Sequence, residues 1–187
     1  MRDMRERLLS LLRSHSFRQG APDEFLLASG RRSDFFVNCK ATVLRSEGHH
    51  LAGHLVLDAL ERFSPLDGLG GVAIGACPLV SAASTVAHAR GMTLNAFYVR
   101  RSRKDHGTAD KMDGLEGIRP GGRVAMVEDV LTTGGSLAFG IEEARRIGLV
   151  VAVAVVLVDR LEGGREGIEG MGVPLVSVFT RKDFVAP

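Results

Sequence analysis

Two carboxylates, Glu128 and Asp129, close an apolar run and lead directly into a threonine and glycine turn, "VAMVEDVLTTGGS" over residues 124–136. Adjacent acids repel one another, so such a pair at the end of a strand costs stability unless a ligand uses it. Beyond it, Thr132, Thr133, Gly134, Gly135 and Ser136 form a turn entering a helix. The backbone N–H groups and dipole of a helix start favour an anion such as a phosphate. The glycines let the backbone come close to that ligand. Carboxylates accept hydrogen bonds, and the 2′ and 3′ hydroxyls of a ribose are donors that sit near a sugar phosphate. An ordinary helix entry with a capping acid would carry the same turn; the paired acids favour a sugar-phosphate site.

A second constellation is cationic. Residues 100–106, "RRSRKDH", place four formal cations and a histidine in a segment too polar to pack. Alone it reads as a solvated surface loop. Because it follows the apolar run "AFYV", its cations can pair with a pyrophosphate, and Gly107 and Gly114 can act as hinges, so we expect a lid. Two familiar phosphate motifs are excluded. "GLGGVA" fits a dinucleotide pattern by letter, but its glycines precede the expected strand, and no GxxxxGK[ST] occurs. His15, His49, His50, His54 and His88 lack metal-ligand spacing, so no zinc site is expected. Cys39 and Cys77 lack a histidine partner motif and are expected to be small buried residues, not nucleophiles.

These residues need elements to hold them. Met4, Leu8, Leu11 and Leu12 predict an N-terminal helix, and Leu51, Leu55, Ala59 and Phe63 another over about residues 46–63. Between them "FLLASGRRSDFFVN" predicts a hairpin or short irregular β element. Then come strand "GVAIG", a helix "PLVSAASTVAHARG" opened by Pro78 and stopped by Gly91, and strand "LNAFYV". After the charged stretch follow strand "RVAMV", with the two acids at its end, and helix "SLAFGIEEARRIG", with Ser136 as its cap and Gly148 past its end. "LVVAVAVVLV" (149–158) predicts a strand buried on both faces, and "LVSVFT" a last strand. The alternation predicts an α/β fold with a doubly wound parallel sheet flanked by helices, whose ligands bind at the carboxyl ends of the strands.

Composition sets limits. The 187 residues suit one domain, and 45% apolar with 25% charged is ordinary for a globular chain. The 24 basic and 22 acidic residues leave +2, so bulk attraction to nucleic acid is not implied. The longest apolar run is half of what a membrane span needs. Two cysteines make no disulfide framework and the charged start "MRDMRERLL" is no signal peptide, so the expectation is a cytoplasmic protein without membrane or nucleic-acid partners.

"VAMVEDVLTTGGS" resembles the phosphoribosyl pyrophosphate (PRPP) signature of type I phosphoribosyltransferases. Three further segments, in the same order, resemble the orotate phosphoribosyltransferases: the N-terminal "FLLASGRRSDFFVN", the mobile loop "YVRRSRKDHGTADKMDG" and "LVDRLEGGRE". The resemblance spans roughly residues 25–184. It implies one phosphoribosyltransferase domain over 1–187, with a small N-terminal hood (mainly 1–45), a core (about 46–187) and a mobile lid (about 101–114). The implied reaction moves ribose 5-phosphate from PRPP to orotate, giving orotidine 5′-monophosphate and pyrophosphate in pyrimidine biosynthesis, with Mg²⁺ held mainly through PRPP and no dedicated metal ligands.

The same resemblance assigns roles. Glu128 and Asp129 hold the ribose hydroxyls, and Thr132 to Ser136 hold the 5′-phosphate. Arg100, Lys104 and His106 meet the leaving pyrophosphate with Asp105 beside them, from a lid that the neighbouring subunit of a homodimer supplies. Arg101 stands where the family often has lysine. Ser29, Gly30 and Arg31 belong to the substrate segment, Phe35 and Phe36 can stack on a planar base, and the fork of Arg160 matches the orotate carboxylate. Arg160 could equally be a surface arginine. The chain departs from the family at Ala28, where many members have lysine, and in "GACPLVSA", which lacks a lysine that some members carry. Another base, purine or uracil, and a non-catalytic PRPP-sensing regulator remain alternatives, although an intact cationic lid argues against the regulator.

Overall fold

The computed structural model describes residues 2–26, 30, 32–102 and 111–185, in which helix and strand alternate. Helix α1 (Arg2–His15) buries Leu8 and Leu12 and leaves its charged residues outside. Four short strands follow: β1 (Phe17–Gln19), β2 (Phe25–Leu26), β3 (Arg32–Ser33) and β4 (Phe35–Val37). β1 pairs antiparallel with β4, and β2 with β3, so the expected hairpin exists as two small ribbons. Helix α2 (Lys40–Val43) leads into α3 (Ser46–Leu60), whose last predicted turn, Glu61–Phe63, tightens to a 3₁₀ helix.

The central sheet is built from β5 (Gly68–Val72), β6 (Asn95–Val99), β7 (Met112–Asp113), β8 (Arg123–Leu131), β9 (Val150–Asp159) and β10 (Leu175–Thr180). Its order is β10-β9-β8-β5-β6-β7, parallel throughout except for β7, which lies antiparallel on the edge beside β6. Helix α4 (Cys77–Ala89) joins β5 to β6, α5 (Gly135–Arg146) joins β8 to β9, and α6 (Gly164–Gly170) precedes β10. This is the doubly wound α/β arrangement that the alternation predicts.

Two apolar clusters explain the layers. Ala125, Val127, Val153, Val155 and Leu157 face α1, α3 and α4, while Met126, Ala154 and Val156 face α5 and α6. Side chains alternate along a strand, so β9 sends valines both ways, as an all-apolar run requires. Residues 153–158 have no solvent exposure. At about 1.5–3 kcal/mol for each large apolar side chain buried, this strand anchors the sheet. Among the described residues no helix is long and apolar enough to cross a membrane.

Three local expectations change. The strand carrying the acids does not stop at residue 127: it runs to Leu131, because β9 pairs with it as far as Leu131↔Asp159. The first core strand starts earlier, at Gly68, and its glycines lie inside it, since a Cβ at Gly70 would overlap the Phe97 ring. Ser136 is not the cap of α5. Gly134 is, in the left-handed region at φ 84°, which leaves Ser136 in the first helical turn. Of the expected lid, 103–110 lie outside the described residues. Its near ends are pinned: the Arg100 N–H donates to the Lys111 carbonyl at 2.7 Å, and the Lys111 ammonium bonds Glu143 at 2.9 Å.

Candidate active site

The carboxyl ends of β5, β6, β8 and β9 meet the N-terminal ribbons at a cavity of about 510 Å³ lined by Phe36, Asn38, Lys40, Gly75, Arg101, Glu128, Asp129 and Arg160, among others. A neighbouring cavity of about 370 Å³ is lined by the whole run from Thr132 to Ser136. Both include Arg101, Glu128, Val130, Thr132 and Ser136, so they form one groove with a turn end and a ribbon end.

The two acids lie inside the last turns of β8, where successive side chains leave on opposite faces. Glu128 points toward α5 and is 5% exposed. Its Oε1 accepts the Asp129 N–H at 3.2 Å, while its Oε2 is buried without a hydrogen-bond partner. Burial, then the charge of Asp129, pushes its carboxyl up to about 8, so Glu128 carries a proton near neutral pH; the Ser136 hydroxyl bond works the other way. Asp129 points toward the loop before α4, so close that a Cβ on Gly75 would sit 2.8 Å from its Oδ1. That oxygen accepts the Val130 N–H at 2.9 Å, and Lys40 Nζ lies 3.8 Å from Oδ2. The acids are thus an unlike pair, Glu128 neutral and buried, Asp129 beside the Lys40 ammonium.

The turn after β8 has the geometry an anion needs. The left-handed Gly134 packs its Cα side against the Gly164 carbonyl, and a Cβ at Gly135 would meet nothing within 4 Å, leaving the start of α5 open. The first N–H groups of a helix have no intrahelical acceptor and are available to a phosphate.

On the ribbon side, Arg160 is 2% exposed, which excludes the surface-arginine reading. Its guanidinium donates to Glu162 at 2.9 Å, Ser33 Oγ at 2.9 Å and the Phe35 carbonyl at 2.7 Å, and lies over the Phe35 ring at 5.0 Å. Phe35 itself is not available to stack on a ligand. It is 1% exposed and packs on Phe17 and Phe184, at 5.2 and 5.9 Å between ring centres. Phe36, the next residue along β4, faces the cavity with Phe25 5.6 Å away. One of the expected aromatic pair therefore lines the groove and the other builds the core.

The arginines divide similarly. Arg100 pairs with Asp113 at 3.1 Å, whereas Arg101 lines both parts of the groove. Gly30 is described, with φ 79°. Ala28, Ser29, Arg31, Lys104, Asp105, His106 and Gly107 lie outside the described residues. Cys39 is buried, with its thiol pushed up by burial and by Asp129, and its Sγ lies 3.7 Å from the Asp129 carbonyl. Burial also raises half-buried Cys77. Neither is poised as a thiolate nucleophile.

Two groove residues escape the sequence reading. Asn38 holds a buried Oδ1 without a hydrogen-bond partner, and Lys40 pairs with Asp129. Nothing in their spacing marks them; only folding of the ribbons onto β8 brings them there. Among the described residues no three His, Cys, Asp or Glu side chains could together hold a metal. The oxygen donors that are present suit a hard ion carried largely by a phosphate ligand.

No family model matches the chain. It is 48% identical over 181 residues to the orotate phosphoribosyltransferase of Sorangium cellulosum, covering 97% of this chain and 93% of that one. The orotate phosphoribosyltransferase of Mycobacterium tuberculosis H37Rv superposes with a TM-score of 0.82 at 32% identity, covering 98% of this chain and 99% of that one. A structure of the same enzyme in complex with PRPP superposes with a TM-score of 0.77 at 29% identity, covering 97% and 98%.

Proposed function

The chain belongs to the orotate phosphoribosyltransferase family, and we propose that it joins orotate to PRPP in the groove between the end of β8 and the N-terminal ribbons. The enzyme transfers ribose 5-phosphate from PRPP to orotate, yielding orotidine 5′-monophosphate and pyrophosphate in pyrimidine biosynthesis. Membership of this family displaces the alternatives of another base or of a sensor without activity. The observation that carries the placement is the meeting, in one groove, of an open helix start, two strand-end acids and a buried arginine.

In this reading the turn from Thr132 to Ser136 holds the 5′-phosphate through its N–H groups. Asp129, with Glu128 behind it, takes the ribose hydroxyls. Phe36 lies against the pyrimidine ring, and Arg160, fixed by Glu162 and Ser33, presents the rest of its fork to the orotate carboxylate. By family resemblance Ser29, Gly30 and Arg31 belong to the substrate segment.

Breaking the bond at ribose C1 builds positive charge on the sugar and negative charge on pyrophosphate, so the protein's task is to stabilise both and exclude water. Arg101, and by family resemblance Lys104, His106 and Arg100, meet the leaving group, with Asp105 alongside. The ion pair to Asp113 gives Arg100 the alternative task of stiffening the lid's stem. Mg²⁺ bound to PRPP's own oxygens, with Asp129 the carboxylate best placed to assist, would offset the charge of the leaving group. We place the enzyme in the cytoplasm as a homodimer whose lid, about 101–114, serves the neighbouring subunit.

Mixing inactive Lys104→Ala subunits with inactive Asp129→Asn subunits tests both the site and the sharing. One site of each mixed dimer receives an intact lid and an intact ribose pocket, so pyrophosphate release from PRPP and orotate is expected to return in part. No return, with mixed dimers shown to form, would place the lid within its own subunit.

A further inference from the structure

Within the groove proposed above, the charges do not suit the ligand until one more residue is counted. PRPP is a polyanion, and the groove meets it with the carboxylate of Asp129 and the buried carboxyl of Glu128. Arg160 is buried and already donates to Glu162, Ser33 and Phe35. Arg101 lines the turn end as well as the ribbon end. The ribbon end lacks the two lysines that the family resemblance leads one to expect, at position 28 and in the loop "GACPLVSA". Lys40 is the remaining cation on that side among the described residues lining the cavity.

Its setting is suited to a moving contact. Lys40 opens the short helix α2, directly behind Asn38 and Cys39, whose Sγ reaches the Asp129 carbonyl. The ammonium lies 3.8 Å from Asp129 Oδ2, beyond a tight hydrogen bond, and the side chain is 43% exposed. An exposed pair of this kind contributes little to stability, so it can be exchanged at small cost. Asp129 Oδ1 is held by the Val130 N–H, which leaves Oδ2 for an incoming hydroxyl.

Resting on the site reading above, we propose that Lys40 is a substrate-positioning residue. It neutralises Asp129 while the groove is empty, and when the ribose hydroxyls take that carboxylate it turns to a pyrophosphate oxygen of PRPP. It thus does from α2 the work of the missing lysines. A charge that pairs first with the protein and then with the ligand lowers repulsion at entry without leaving a bare ammonium in the groove.

The test is calorimetric titration of PRPP with Mg²⁺ into the wild-type protein, Lys40→Met, Lys40→Arg, Asp129→Asn and the Lys40→Met/Asp129→Asn double variant, beside steady-state kinetics and melting curves. Lys40→Met is expected to weaken PRPP about tenfold or more, as for loss of a hydrogen bond to a charged group. The KM for orotate should stay within about twofold and the melting temperature within about two degrees, because the side chain is exposed. Lys40→Arg should recover most of the affinity. The Lys40 and Asp129 losses should fall short of additive in the double variant, since they share one contact. A Lys40→Met protein that binds PRPP as the wild type does overturns the proposal and leaves the site reading intact. So does an equal rise in both KM values with a lowered melting temperature, which marks a structural role. Wild-type protein that fails to bind PRPP overturns the site reading itself and Lys40 with it.

Discussion

Strands β8 and β9 lie side by side and each carries a buried acid in its carboxyl-terminal half, yet the two acids are treated in opposite ways. Asp159, at 0% exposure, has both oxygens occupied: Oδ1 accepts the Leu161 N–H at 2.8 Å, and Oδ2 accepts Arg165 at 3.3 Å and Ser177 at 3.2 Å. Glu128, at 5% exposure, has one oxygen without a partner and a carboxyl pushed up to about 8. A buried polar group is normally satisfied by its own fold, so an unsatisfied one at the rim of a groove marks a place where a ligand completes the structure. Asp159 fastens β9 to β10 and α6. In the proposed function Glu128 and Asp129 are kept for the ribose hydroxyls, at a cost that the folded chain carries.

The largest expected effect lies on the structural side. Asp159→Ala removes a fully buried acid and with it the acceptor of the Leu161 N–H, the Ser177 hydroxyl and the part-exposed Arg165, which at about 1–1.5 kcal/mol for each lost bond costs roughly 3–5 kcal/mol. For a chain of this size each kcal/mol moves the melting temperature by about 2–4 °C, so a fall of roughly ten degrees should be seen by calorimetry. PRPP affinity of the protein that remains folded should stay close to wild type. Lost affinity at an unchanged melting temperature would break the contrast between the two strand ends.

Asp129→Asn should show the reverse. The variant keeps size and the Val130 contact but loses the charge that hydroxyl donors favour, a loss of about 1.5–3 kcal/mol in PRPP binding, or roughly ten- to a hundredfold in Kd. Its melting temperature should move little, because Lys40 is an exposed partner. Unchanged PRPP binding by calorimetry would show that the strand-end acids have another task.

How much of this was legible before folding depends on how far apart the cooperating residues lie. The β-branched run 149–158 and the helical phase of Leu51 and Leu55 are local signals, and both became elements as read. The turn from Thr132 to Ser136 draws on consecutive residues, so its geometry, a glycine turn opening a helix, was legible too. The extension of β8 past Glu128 was not, because pairing with β9 some thirty residues later creates it. The choice between Phe35 and Phe36 is a question of which strand face meets the core, and period-two alternation in a three-residue strand gives two equal answers until a partner fixes the register. Lys40 and Asn38 were invisible because residues 38–40 reach 129 only through closure of the ribbons.

Glu128 offers a way to sharpen the comparison through pH. Its carboxyl ordinarily titrates near 4.5 and in the folded chain at about 8. Between those values the folded protein keeps a proton the unfolded chain has lost, so this group's contribution to stability is full below 4.5 and falls as pH rises toward 8. Glu128→Gln should remove that slope, gaining on the wild type in melting temperature more at pH 8 than at pH 5. If PRPP binding ionises the carboxyl so that it can accept a ribose hydroxyl, binding at pH 7 should release up to about one proton, read from enthalpies in buffers of different ionisation heat. A wild-type protein that releases none, or a Glu128→Gln protein that releases as much, would move the titrating group elsewhere.

The smallest expected effect belongs to Ser136, the residue that links the acid end of the groove to the phosphate end. Its hydroxyl bonds the Glu128 carboxylate and favours the ionised form, in opposition to burial and to Asp129. It also sits in the first turn of α5, where the backbone N–H groups, and not the side chain, are the expected phosphate ligands. Ser136→Ala should therefore move the proton release that accompanies PRPP binding toward higher pH, because Glu128 keeps the Asp129 N–H but loses the other group that favours its ionised form. The affinity itself should fall by no more than about 0.5–1.5 kcal/mol, the net worth of one neutral hydrogen bond. A loss as large as that of Asp129→Asn, with the proton release unmoved, would put the hydroxyl on the phosphate instead, and Glu128 would then have to be ionised by the ligand alone.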